Sequence, residues 1–98
     1  MAKQSYPDIK VPAGTKTTLA QLFADAGLTA PTGEVSVEIQ NITDNGVVYL
    51  TFGNQTGLDS ILGSPIPAFW TREELEDFNN IFVRTASDNV FIGVMVNA

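Results

Sequence analysis

The run IFVRTASDNVFIGVMVNA, residues 81–98, has the period of two β-strands on either side of a turn. In its first half Ile81, Val83 and Thr85 alternate with Phe82, Arg84 and Ala86, and successive side chains of a strand point to opposite faces. Residues 85–89, TASDN, are turn formers. In the second half Val90, Ile92, Val94 and Val96 share one face, and Phe91, Gly93 and Met95 share the other. The spacing predicts a hairpin. A hairpin with one buried face alternates between apolar and polar residues. Here Phe82, Phe91 and Met95 make the second face apolar too. That face needs a cover, either from this chain or from a neighbouring subunit.

Upstream, TREELEDFNN (residues 71–80) reads two ways. Thr71 and Glu74 have capping-box spacing, which favours a short helical turn. The same residues fit an irregular strand with Leu75 inward. Residues 53–70 form a long connection rich in Gly and Pro that also holds Leu58, Ile61, Leu62, Ile66, Phe69 and Trp70. An apolar loop of that length either folds over the end of a sandwich or makes contacts, with Phe69 and Trp70 as interface anchors.

The middle of the chain is plainer. In EVSVEIQNI (residues 34–42) Val35, Val37 and Ile39 face inward and Glu34, Ser36, Glu38 and Gln40 face water. VVYLTF (residues 47–52) returns with Val48, Leu50 and Phe52 on the core side. The Asn45-Gly46 pair between them predicts a second hairpin. LAQLFADAG (residues 19–27) places Leu19, Leu22, Phe23 and Ala26 on one helical face. Thr17 or Thr18 supplies the N-cap. Gly27 ends the helix at C′, with Leu28 returning onto it. Residues 1–18 hold Pro7, Pro12 and Gly14 and show no sustained period. They read as an extended arm with a short strand near residues 8–11.

The fold class expected is mainly β: a single antiparallel β-sandwich or small barrel with one short α-helix. An N-terminal arm spans residues 1–16 and one β-rich domain spans residues 17–98. Of the candidate covers for the apolar face, the helix of residues 19–26 is the only obvious one within the chain.

Composition excludes much chemistry. The 98-residue chain has no His and no Cys, so Ser-His-Asp and Cys-His sites and His- or Cys-based zinc sites cannot be built. No glycine-rich nucleotide motif is present. Glu73, Glu74, Glu76 and Asp77 cluster as a solvated face, which is a weak setting for acid-base catalysis. A calcium site using them or Asp59 lacks EF-hand spacing. The expectation is a non-enzyme with no cofactor and no metal. A net charge of −6 argues against nucleic acid or an anionic membrane as partner. No apolar run is long enough to span a bilayer, and the first residues lack the core of a signal peptide. Only 16% of residues are charged, which supports a homo-oligomer. Lys3, Lys10 and Lys16 give residues 1–16 a balance of +2, against −8 for the rest. That arm is either an ordinary solvated terminus or a basic strap onto an acidic neighbour.

Several segments together resemble the small virion structural proteins of tailed bacteriophages. They are TTLAQLFADAG (residues 17–27), VSVEIQN and GVVYLTFGN (residues 35–54), and NNIFVRTASDNVFIGVMV (residues 79–96). The resemblance covers about residues 15–96. In the related proteins the glycine-rich connection runs into a polar strand. Here it passes through Pro65, Ile66, Pro67, Ala68, Phe69 and Trp70. The resemblance implies a non-enzymatic module of the virion. Capsid decoration (cement) proteins of this kind commonly assemble as trimers at threefold positions of the shell. The implied partner is the major capsid protein or another virion protein, and the implied location is the capsid surface, after synthesis in the host cytoplasm. Lys3, Lys10, Lys16, Phe69, Trp70, Phe82, Phe91 and Met95 are the expected subunit or capsid contacts. A neck, tail or fibre-attachment module is the alternative. A small carbohydrate-binding module using Trp70 and Tyr49 is a third reading, from a different class.

Overall fold

The computed structural model describes residues 3–44, 46–53, 63–86 and 89–97. They form two antiparallel sheets packed over one core, with a single α-helix. The elements are β1 (Lys3–Ser5), β2 (Ile9–Val11), β3 (Thr17–Thr18), α1 (Leu19–Asp25), β4 (Glu34–Asn41), β5 (Val48–Phe52), β6 (Ser64–Ile66), β7 (Thr71–Asp77), a 3₁₀ turn (Phe78–Asn80), β8 (Ile81–Thr85) and β9 (Val90–Asn97). In the first sheet β9 lies between β4 and the β1/β2 strand, with β7 outside β4; the second sheet runs β3-β8-β5-β6. The fold is thus the expected small β-sandwich.

Neither expected hairpin forms. β8 pairs with β3 and β5, whereas β9 pairs with β1, β2 and β4. The turn in residues 81–98 therefore carries the chain from one sheet to the other. The same holds for β4 and β5, which the Asn-Gly signal would have joined edge to edge. β2 and β3, β4 and β5, β6 and β7, and β8 and β9 all sit in opposite sheets. This four-over-four order is the jelly-roll arrangement. Both strands of each expected hairpin bury their alternate residues, and a sheet switch satisfies that pattern as well as a hairpin does.

This topology corrects the reading of the apolar second face. Phe82 lies on the outer face of the second sheet, opposite Thr18 and Thr51. Phe91 and Met95 lie on the outer face of the first sheet, opposite Lys10 and Ser5. They point away from one another across the sandwich. α1 covers neither face. It plugs one end of the core through Leu19, Leu22 and Phe23. The Phe23 ring stands edge-on to Phe78 at 4.9 Å and to Tyr6 at 4.7 Å.

The helix is built as its residues dictate. Of the two candidate caps Thr18 serves, its Oγ1 accepting from the Gln21 amide at 3.1 Å, an interaction worth about 1 kcal/mol. At the other end Gly27, at φ +74°, donates to Ala24, and Leu28 donates to Phe23 at 2.8 Å. That pair of bonds is the Schellman pattern.

Residues 3–11, expected in an arm outside the domain, are an outer strand of the first sheet. Ile9 and Val11 are buried in the core. Between the Ser5–Met95 and Ile9–Ile92 partners, Tyr6, Pro7 and Asp8 oppose only Val94 and Gly93. The extra residue makes a β-bulge, placed where Pro7 has no amide to donate.

The other edge is β7, a regular strand and not the helical turn that its capping-box spacing allowed. Leu75 faces out and is exposed, contrary to its expected inward place. Arg72, Glu74 and Glu76 register with Ile39, Val37 and Val35 on the inward side, and Arg72 bridges Glu74 at 3.6 Å. Inward-turned charge on an edge strand deters pairing with another chain.

Candidate functional site

β2, β4, β6 and β8 all end at one end of the sandwich, opposite α1. The residue that organises this end is Asn41, the last of β4 and fully buried. Its Nδ2 donates to the Gly46 carbonyl at 2.8 Å and to the Ile66 carbonyl at 3.0 Å. Its Oδ1 accepts from the Thr43 amide at 3.0 Å. Its backbone carbonyl accepts from Phe69 at 2.6 Å, and its amide donates to Trp70 at 3.0 Å. One side chain and one peptide thus hold the ends of β4 and β6 and the following turn together. Sequence periodicity reads Asn41 as only the end of a strand; its burial opposite Ile92 is set by the sheet, which no local pattern encodes.

Residues 67–70 form a tight turn closed by the Trp70 amide on the Pro67 carbonyl at 3.0 Å. Phe69 occupies its third position at φ +64°, where a type II turn normally places Gly. A bulky side chain in that region is strained by about 1–3 kcal/mol. The Gln40 Nε2 bond to the Phe69 carbonyl, 3.1 Å, helps to hold it there. The result is a fixed aromatic corner: Phe69 is 61% exposed and Trp70 67%. Next to it, Thr43 Oγ1 accepts from the Phe91 amide at 2.6 Å. Phe69, Phe91 and Ile42 line a concavity of about 490 Å³ with Thr43, Asp8 and Asp44 at its rim.

A second, smaller hollow of about 180 Å³ lies beside it on the outer face of the first sheet. Its floor is Gly93, with Gln40 and Thr71 continuing the same row across β4 and β7. Met95, Glu38 and Ser5 form the next row and the far wall.

The eight expected contact residues divide among separate places. Phe69 and Phe91 share a concavity, with Trp70 beside Phe69 in the turn. Lys10 is exposed directly across from Phe91, and Met95 lies further along the same face. Lys3 begins β1, paired with Asn97. Lys16 lies elsewhere, in a shallow hollow with Gly14, Thr15 and Arg84. Phe82 is on the opposite sheet. Lys3, Lys10 and Lys16 therefore do not form one basic strap. Tyr49, expected beside Trp70 in a sugar platform, sits on the outer face of the second sheet between Arg84 and Pro65, away from the first-sheet hollows.

The acidic cluster is divided as well. Glu73 and Asp77 face out, while Glu74 and Glu76 turn inward. Among the described residues no three acidic side chains converge as a metal-binding group. Asp59, Leu58, Ile61 and Leu62 lie outside the described residues. Among the described residues no helix is long and apolar enough to cross a membrane. No protein-family model, curated protein or solved structure matches this chain.

Proposed function

We propose that this chain is a non-enzymatic virion structural protein of a tailed bacteriophage, a decoration protein that binds across neighbouring capsid subunits and stabilises the shell. The observation that carries this reading is the aromatic corner at Phe69 and Trp70. An exposed Trp beside an exposed Phe, held rigid by backbone bonds to a buried Asn, is an anchor of the kind that dominates protein interfaces. Its rigidity lowers the entropic cost of docking. The jelly roll is a frequent building unit of viral shells, and the sequence resemblance points to the same class. The subunits assemble as trimers in this reading, and the corner faces the major capsid protein.

The test is addition of purified protein to expanded and unexpanded capsids, with copy number counted per particle. Decoration requires many copies, binding to expanded shells, and loss of binding in Trp70→Ala. A few copies per particle would replace it with a neck or tail role.

A further inference from the structure

Gly93 has no structural explanation within the fold. It lies in the middle of β9, an inner strand of its sheet, with a backbone that is not in the left-handed region. A Cβ built on it would meet only Ile42 Cγ2, at an ordinary contact distance of 3.6 Å. Gly in a strand interior gives up stability, and where neither backbone nor packing requires it, it marks the close approach of something else. The adjoining edge strand carries its bulge opposite this glycine, and bulges recur beside binding sites.

Gly93, Gln40 and Thr71 form the floor of a trough running across the strands. Ile42 links the two hollows, since it touches the Gly93 position and also lines the Phe69–Phe91 concavity. On one side of the trough lie Phe69 and Phe91, which line the adjoining concavity. On the other, the Ser5 hydroxyl and the Glu38 carboxylate flank Met95. Gln40 spends its Nε2 on Phe69 and keeps Oε1 as an acceptor, while Thr71 offers a hydroxyl. Aromatic side chains on one wall, and polar groups around a methionine on the other, suit a pyranose, which has an apolar C–H face and a rim of hydroxyls. The carboxylates at Glu38, Asp8 and Asp44 disfavour a phosphate-bearing ligand.

We infer that the outer face of the first sheet is an oligosaccharide-binding trough, with Gly93 at its floor and Phe69 and Phe91 as stacking surfaces. This goes beyond the decoration reading and does not depend on it. It also differs from a platform built on Trp70 and Tyr49.

The test is an amide-resolved NMR titration with tetrasaccharides of glucose, galactose and N-acetylglucosamine, with tetralysine as a charge control. Sugar is taken to about 10 mM, ten times a Kd of about 1 mM. At least one sugar should shift the amides of residues 40, 71, 91 and 93. Gly93→Val, which fills the floor with a residue suited to a strand, should keep the wild-type spectrum elsewhere and weaken that sugar at least tenfold. Phe91→Ala should weaken it as well, while keeping the wild-type spectrum outside the trough. No shift with any sugar, shifts confined to another face, or a response to tetralysine alone would overturn the assignment.

Discussion

The Phe69 amide donates to the Asn41 carbonyl at 2.6 Å, so a residue that is mostly exposed hangs directly on one that is wholly buried. The outer corner of the molecule and the end of its core are parts of one hydrogen-bonded unit, and each can be perturbed through the other.

Asn41→Ala removes three side-chain hydrogen bonds and leaves the Gly46 and Ile66 carbonyls and the Thr43 amide without their partner. The expected loss is about 2–4 kcal/mol, mostly from stranded buried groups. Urea unfolding should show a lower midpoint with an unchanged m-value. Asn41→Asp should not rescue it, because the carboxylate cannot donate to two carbonyls.

Phe69→Gly should do the reverse. Gly adopts φ +64° without strain, and Phe69 buries too little to offset the relief. A gain of about 1 kcal/mol is expected, read as a raised thermal midpoint. The same variant should lose capsid addition if the corner is the anchor, separating stability from binding in a single substitution.

Two glycines should behave oppositely. At Gly63, φ is +94°, and a Cβ would run into the Leu50 carbonyl oxygen and lie 2.7 Å from Thr51 Oγ1. Gly63→Ala is expected to cost about 2–4 kcal/mol. Gly93→Ala meets neither obstacle and should be neutral or stabilising by about 0.5–1 kcal/mol. Parallel denaturant titrations of the two variants check this.

Removal of residues 1–11 should abolish cooperative unfolding. It strips the strand that pairs with β9 along one side and takes Ile9 and Val11 out of the core, each worth about 1.5–3 kcal/mol of burial. A truncated protein that kept a sharp thermal transition would show that residues 12–98 fold without the outer strand, as an arm outside the domain would allow.

What could be read from the residues was whatever depends on near neighbours. The helix, its Thr18 cap and its Gly27–Leu28 ending follow from side chains three and four apart. The inward sets Val37 and Ile39, Val48 and Leu50, and Val90, Ile92, Val94 and Val96 follow from side chains two apart, and all of them are buried. What could not be read was which strand lies beside which. Val90 buries the same face whether its neighbour is β8 or β4, so alternation alone cannot distinguish a hairpin from a sheet switch. The site suffered accordingly. Phe69, Trp70 and Phe91 were legible as apolar residues in unusual places. Asn41 and Gly93 acquire their roles only through partners far along the chain.

The placement of β9 also governs when the molecule can form. β9 is an inner strand of the first sheet, and its neighbours β1, β2 and β4 all precede it in the chain. A ribosome-bound chain lacking residues 90–97 has no strand to join those three and no lid for the second sheet. Contacts of such long range set folding times of about milliseconds to seconds for β-rich domains. The two sheets therefore close over each other only once that strand is in place, and Val83 and Leu50 stay uncovered until then.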